Sequence, residues 1–242
     1  MHVGSEGKNS IGFTPDNTGD NISSQNYTFS EMTGLYWAWK NLKCDYLGFV
    51  HYRRYFAAKS KFGTADPEAA LTGEEAQKLL FEHKILLPRR RKYYIETLYS
   101  HYAHTADGRH LDVAREIISR KCPEYIESFD EVMRQSWGWM FNMFIMPKIV
   151  ADEYCEWVFG ILFDLSGKVG IDNMNAFEMR YPARVAELLF NVWINYQLRI
   201  GSINPENVFE IPYIYTEKIN WPRKIIEFLT AKFFHRKYKK SF

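Results

Sequence analysis

The sequence predicts an α/β domain in which a layered, mostly parallel sheet is flanked by helices. Short apolar runs bounded by polar residues, at 46–50 and 84–88, are typical of strands buried in a sheet. Longer amphipathic runs at 149–166 and 182–200 have the period of helices. The two kinds of segment alternate along the chain, which is the pattern of a layered α/β fold.

The chain begins with a polar segment. Residues 1–30 are rich in Gly, Asn, Ser, Thr and Asp, a composition that predicts a long ordered loop. Ser30 is placed to cap a helix that ends at Asn41. The run at 46–50 then predicts a buried, parallel strand.

The rest of the domain continues the alternation after a polar insert at 57–77. Its predicted elements are a helix at 72–83, a strand at 84–88, helices at 111–121 and 123–134, a strand at 140–146, the two long helices, and short extended segments between 208 and 215.

Composition narrows the class of protein. The net charge is only +2, so the molecule as a whole is not built to bind a polyanion. Aromatic residues make up 17% of the chain, which fits either a large core or a site that stacks on sugars or bases. The three cysteines lack zinc-like spacing and predict core residues of a reducing compartment. No apolar run is long enough to span a bilayer.

A cationic corner follows the first predicted strand. His51, Arg53 and Arg54 come directly after it, and ligands of open α/β sheets bind outside the carboxyl ends of strands. Two guanidinium groups suit bidentate phosphate recognition, and the imidazole could serve as base, donor or metal ligand. The alternative is a histidine bonded to the backbone beside two structural ion pairs. A second cationic run at 89–92 either meets an anion or is simply solvated.

Tyr94 and His101 belong to a segment, 93–105, that is rich in tyrosine and histidine. A helix would place His101 and His104 on one face. Zinc needs three or four ligands, and only these two are well placed, so we predict no metal site. A contact to a sugar acceptor and a pair of surface histidines are the remaining interpretations.

Glu187 and Asn191 lie four residues apart in the second long helix, so both side chains share one face. Their neighbours are almost all apolar. Such a polar pair is either satisfied inside the core or faces a site, and burial would raise the pKa of Glu187 as a general base requires.

The segment 221–242 differs in composition from the domain at 1–220. It carries seven Lys and Arg residues against a single acid, Glu227, together with Ile, Leu and Phe side chains. This pattern predicts a basic amphipathic C-terminal helix that lies on an anionic membrane surface. A docked helix and a disordered basic tail are the alternatives, and no fold motif supports a nucleic-acid partner.

A series of motifs resembles the DUF4422 family of bacterial capsular and exopolysaccharide glycosyltransferases. The motifs occur in order between about residues 3 and 195, and 200–242 lies outside them. They are the stretches 16–23 (DNTGDNIS), 31–41 (EMTGLYWAWKN), 48–56 (GFVHYRRYF), 85–88 (ILLP), 93–96 (YYIE), 141–146 (FNMFIM), 154–157 (YCEW) and 187–193 (ELLFNVW).

The resemblance implies a GT-A-like fold and transfer of a sugar, in some members galactofuranose, from a nucleotide donor that is commonly UDP-linked. The acceptor would be a growing capsular, exopolysaccharide or O-antigen glycan. In such an enzyme Asp20 and Asn21 would hold the nucleotide, and His51, Arg53 and Arg54 would bind the diphosphate.

On the acceptor side, the resemblance to the corresponding strand and helix of GT-A enzymes strengthens the prediction that Asn142, Asn191 and Glu187 are site residues. We predict Glu187 and His51 as catalytic residues. The predicted contacts to the acceptor or the sugar are Asn142, Asn191, Tyr94 and His101.

The sequence departs from the family in two places. Members usually have a first strand before the point where this chain begins, so we expect that strand to be missing. Leu188 follows Glu187 where the family often has arginine. The chain also has no Asp-x-Asp, with which many sugar-nucleotide enzymes hold a divalent ion. No cofactor is therefore predicted, and Mg²⁺ or Mn²⁺ stays open.

These inferences predict a hexosyltransferase of the cytoplasm, held peripherally at the inner face of the membrane, with a glycan or lipid-linked acceptor. The alternative is a non-catalytic nucleotide-sugar or glycan-binding module derived from such an enzyme. A glycoside hydrolase would need two carboxyls across one cleft, and Glu187 alone is a clear candidate.

Overall fold

The computed structural model describes residues 1–57 and 67–217. The predicted membrane helix at 221–242 lies outside these residues. The helices are α1 (Asn26–Phe29), α2 (Met32–Asn41), α3 (Gly73–Glu82), α4 (Leu98–Thr105), α5 (Arg109–Lys121), α6 (Ile126–Arg134), α7 (Lys148–Val169) and α8 (Tyr181–Arg199). The strands are β1 (Tyr46–Phe49), β2 (Arg54–Phe56), β3 (Ile85–Pro88), β4 (Arg91–Lys92), β5 (Trp137–Gly138), β6 (Phe144–Pro147), β7 (Val208–Ile211) and β8 (Tyr213–Tyr215).

The main sheet has four strands in the order β1-β6-β3-β7. The α/β class is confirmed, but the sheet is mixed where the sequence predicts a mostly parallel one. Strand β6 runs antiparallel to both of its neighbours, and only β3 and β7 are parallel. Strand β1 is also an edge strand with Gly48 exposed, rather than a buried parallel strand. An apolar run reports burial and carries no information on strand direction, which explains both differences.

Large aromatic side chains join the sheet to the long helices. Tyr154 of α7 meets Phe190 and Trp193 of α8 edge-on, with ring centroids 5.1 and 5.5 Å apart. Phe144 of β6 stacks on Phe190 at 5.7 Å. All four rings are fully buried, and each contributes about 2–3 kcal/mol through burial alone. This packing fixes α8, and with it Glu187 one turn before Phe190.

The first helix breaks where the sequence predicts a cap. Ser30 has a φ of 47°, and α2 begins at Met32 without a side-chain cap. The Asn26 amide causes the break, because its Nδ2 donates to the Ser30 carbonyl at 2.7 Å and to Thr33 Oγ1 at 3.1 Å. The kink leaves Glu31 at the head of α2.

Asp16 is the buried hub of the N-terminal loop. Its carboxylate accepts hydrogen bonds from the Gly4 and Ser5 amides at 2.8 and 2.9 Å, from Ser23 Oγ at 2.6 Å and from Thr33 Oγ1 at 2.7 Å. Burial on its own would raise the pKa of Asp16, but these hydrogen bonds outweigh it and lower the pKa to about 2. One carboxylate thus ties the start of the chain to α2.

Replacing this carboxylate should destabilise the fold. In Asp16→Asn an NH₂ group faces donors, so we expect the free energy of unfolding at pH 7 to fall by about 2–4 kcal/mol, measured by urea denaturation. Because the folded pKa is depressed, the contribution of Asp16 is present above its ordinary pKa near 4 and is lost as the pH falls towards about 2. That pH dependence should be weaker in the variant.

Asp172→Asn is the matched control, since Asp172 is exposed. Equal unfolding midpoints for Asp16→Asn and Asp172→Asn would contradict the role of the hub.

Candidate functional site

A cleft of about 1600 Å³ opens beside β1 and the turn that follows it. Most of its lining comes from residues within 1–3, 48–55, 89–94, 180–188 and 213–215. The cleft is therefore formed by the end of the edge strand, the segment after β3, the first turns of α8 and strand β8. Its volume exceeds the roughly 300–1000 Å³ of an ordinary small-molecule pocket.

Positive charge dominates this cleft. Its lining contains eight Lys and Arg side chains and two carboxyls, Glu31 and Glu187. Two of the cations form ion pairs with acids outside the cleft lining: Arg90 Nε lies 2.5 Å from Glu210, and Arg53 Nε lies 4.0 Å from Glu217. The cations are Arg53, Arg54, Arg89, Arg90, Arg91, Lys92, Arg180 and Arg184.

The predicted corner at His51, Arg53 and Arg54 is a tight turn within the cleft. The Arg54 amide donates to the His51 carbonyl at 2.9 Å, and the Arg53 amide donates to His51 Nδ1 at 3.2 Å. Burial, followed by the charges of Arg54 and Arg53, lowers the pKa of His51 to about 4. The imidazole is therefore neutral at pH 7, with its proton on Nε2 because Nδ1 accepts.

Arg54 is held by aromatic rings rather than by an acid. Its guanidinium lies 3.9 Å from the Phe141 ring centroid and 5.3 Å from that of Tyr215. Within the described residues, Nε of Arg54 and Nε of Arg53 are buried without a hydrogen-bond partner.

Glu187 lies in the same cleft, held by a backbone amide. The Phe141 N–H donates to Glu187 Oε2 at 3.1 Å. Burial raises the pKa of Glu187 to about 7, helped by the charge of Glu31 and opposed by the Phe141 amide, Arg54 and Arg91. A carboxyl with this pKa can take up a proton near neutral pH.

The segment 140–146 is a strand only from Phe144 onward, because a strained corner precedes it. Phe141 and Asn142 have φ values of 77° and 52°, unusual for residues other than glycine. Asn142 Nδ2 donates to Glu31 Oε1 at 3.0 Å and to the Ala183 carbonyl at 3.2 Å. Asn142 is only 2% exposed, so its amide positions Glu31 and is not presented to a ligand.

His101 lines the cleft and is oriented by a carboxylate. The Glu96 carboxylate accepts hydrogen bonds from His101 Nδ1–H at 2.8 Å and from His104 Nδ1–H at 2.7 Å. Burial, as the largest cause, lowers the pKa of His101 to about 4. Tyr94 lies at the rim of the cleft, with 84% of its surface exposed. No group of three potential metal ligands occurs within 1–57 and 67–217.

Four predicted residues do not line the cleft: Asn142, described above, and Asp20, Asn21 and Asn191. Asp20 accepts from Tyr36 Oη at 3.2 Å, and Asn21 Nδ2 donates to the Gly19 carbonyl at 2.9 Å, on an exposed loop. Asn191 is buried, and its amide bonds both backbone groups of Trp139 at 2.7 and 2.9 Å. The predicted nucleotide contact of the loop and the predicted sugar contact of Asn191 therefore lack a place in the cleft.

Sequence reasoning missed three cleft residues that carry charge, Glu31, Arg180 and Arg184, whereas the predicted cationic run at 89–92 does line the cleft. The spacing of Arg180 and Arg184 with Glu187 predicts a shared face at the start of a helix, which was an available signal. Glu31 gave no such signal, because its burial depends on the kink at Ser30.

Among the described residues, no helix is both long and apolar enough to cross a membrane.

Comparisons with known proteins place the fold. Residues 1–198 match the model of a family described as "Domain of unknown function (DUF4422)". A solved structure described as "WbbM bifunctional glycosytransferase apo structure" has a TM-score of 0.78 and 30% sequence identity. The match covers 89% of this chain and 41% of that chain, so this chain spans less than half the length of that neighbour. No curated protein matches.

Proposed function

The chain belongs to the DUF4422 family, and we propose that it is a glycosyltransferase that moves a sugar from a UDP-linked donor to a growing glycan. The similarity to a bifunctional glycosyltransferase supports the reaction class. The observation that carries the proposal is the cleft itself, which is lined by eight cations and by a buried carboxyl whose pKa is about 7. Galactofuranose or another hexose is the donor sugar expected from the resemblance.

The donor side follows from the cationic corner. A nucleoside diphosphate carries negative charge on both phosphates, and it gains more as the sugar leaves. The guanidinium groups of Arg53 and Arg54 line the cleft and suit its oxygens, and neutral His51 adds a donor at Nε2. Guanidinium groups fixed by rings would stabilise the leaving diphosphate without reorganisation, as a divalent ion does elsewhere.

The acceptor side follows from Glu187. The acceptor hydroxyl oxygen would attack the anomeric carbon while its proton passes to a Glu187 oxygen. The bond from the anomeric carbon to the phosphate oxygen breaks, and its electron pair leaves with UDP. A base is most effective when its pKa lies near the working pH, as that of Glu187 does.

Arg53→Ala tests the donor side. Losing a hydrogen bond to a charged group costs about 1.5–3 kcal/mol, so we expect the Kd for UDP to rise by about tenfold or more in calorimetry. Arg120→Ala, an exposed arginine on α5 paired with Glu116, is the matched control. A Kd for UDP that is unchanged by Arg53→Ala would refute the diphosphate assignment.

Glu187→Gln tests the acceptor side. Loss of a general base should lower the release of UDP from UDP-hexoses by about 10²–10⁴-fold, with little change in UDP affinity. In the wild type, activity should rise with pH through about 7, because only ionised Glu187 accepts a proton. That limb should disappear in the variant and persist in Glu153→Gln, which removes an exposed carboxyl of α7. Donor binding without turnover in the wild type would favour a nucleotide-sugar-binding module.

Removal of 221–242 tests membrane attachment. The seven cations of this segment should attract anionic lipid, so the full chain should co-sediment with phosphatidylglycerol vesicles and the shortened chain should not. Added salt should weaken the attachment, and phosphatidylcholine vesicles serve as the neutral control. Equal co-sedimentation of both chains would exclude the segment as an anchor and with it this route to a lipid-linked acceptor.

A further inference from the structure

Two buried carboxyls, Glu31 and Glu187, line the cleft and are held by adjacent residues of one backbone corner. We propose that Glu31 is a positioning residue that acts through Glu187, as a fixed negative charge that makes Glu187 a stronger base. The inference rests on the proposed role of Glu187. It concerns Glu31, the first residue of the 31–41 motif, to which the sequence assigns no role.

The Phe141–Asn142 corner sets the geometry of the pair. Phe141 gives its backbone amide to Glu187, and Asn142 gives its side-chain amide to Glu31. Asn142 is also tied to the Ala183 carbonyl, four residues before Glu187 on α8. Since the two anchoring groups belong to consecutive residues with positive φ, the corner anchors both carboxyls at the same point of the cleft.

Glu31 is better equipped than Glu187 to carry the charge. Burial raises the pKa of Glu31, but a backbone hydrogen bond within the residue, the Asn142 amide, Arg180 and Arg54 all oppose that effect. Glu187 has the Phe141 amide, Arg54 and Arg91 in its favour, yet it also faces the charge of Glu31. We assign the charge of the pair to Glu31, which accepts from the Asn142 side chain and is favoured as a carboxylate by Arg180 and Arg54.

The other groups around Glu187 show why a second carboxylate is needed. Arg54 of β2, Arg91 of β4 and Arg184 of α8 all interact electrostatically with Glu187. Their charges favour the ionised carboxylate and so weaken it as a base. The phenols of Tyr102 on α4 and Tyr154 on α7 also face it and stay protonated, since burial raises the pKa of each.

The arginines that would bind a diphosphate therefore also lower the pKa of the general base in the same cleft. Burial is the largest cause that raises the pKa of Glu187 to about 7, and the charge of Glu31 adds to it and so offsets the arginines. During transfer the acceptor proton passes to Glu187, and Glu31 neither gains nor loses one. Glu31 is consequently not a catalytic residue in the strict sense.

The test is a titration of the Glu187 carboxyl by ¹³C NMR in selectively labelled protein, which needs no substrate. Glu31→Gln removes the charge and keeps an oxygen to accept from Asn142. We expect the Glu187 midpoint to fall by roughly one pH unit, the usual effect of a neighbouring charge. The acid limb of UDP release should move with it, which a purely structural role would not cause. Glu153→Gln should leave the midpoint in place.

An unchanged Glu187 midpoint in folded Glu31→Gln would overturn the inference. If that variant fails to fold, the wild-type protein decides: coupled carboxyls should share two inflections, whereas independent single inflections would overturn the proposal. The proposed function fails separately, when Glu187→Gln retains wild-type UDP release. Loss of release in Glu187→Gln with an unmoved midpoint in Glu31→Gln would remove only the role of Glu31.

Discussion

The strained corner at Phe141 and Asn142 is the constraint on which the cleft depends. Two consecutive residues with positive φ cost of order 1–3 kcal/mol each, and such strain persists only where the surroundings enforce it. Asn191 holds both backbone groups of the nearby Trp139, and Phe144 is packed into the core just after the corner. The core thus supports a conformation that the local sequence disfavours.

Aromatic rings hold several of the arginine side chains that line the cleft. Several like-charged guanidinium groups converge on one cleft, where acids would hold them but would also neutralise them. Rings hold them and leave their charge available, since the face of an aromatic ring attracts a cation. The pairs are Arg54 with Phe141 and Tyr215, Arg91 with Tyr93, and Arg184 with Phe177, whereas Arg90 contacts Trp137 and is also paired with Glu210. Part of the aromatic excess therefore holds arginine side chains, a role distinct from core filling and from sugar stacking.

Periodicity and capping predicted most helices well, because those signals are local. Thr72 forms the capping box that begins α3, and α7 and α8 lie within a few residues of their predicted bounds. Such local signals do not predict strand direction or the role of Glu31. The direction of β6 depends on partners distant in sequence, and the kink at Ser30 depends on how Asn26 bonds across it. Asp20 and Asn21 were predicted to hold the nucleotide, whereas the buried acid of that loop is Asp16, which holds the loop together.

Asp16 links the stability of the fold to the chemistry of the cleft. Its carboxylate holds Thr33, two residues after Glu31, and also the amide of Gly4, beside the residues 1–3 that line the cleft. Gly4 has a φ of 65° and lies against Asn26 so closely that a Cβ would come within 2.3 Å of it. Asn26 in turn produces the kink that presents Glu31. The loop, the kink and the carboxyl pair therefore form one connected network, so that the N-terminal loop cannot loosen without also moving Glu31 relative to the base it supports.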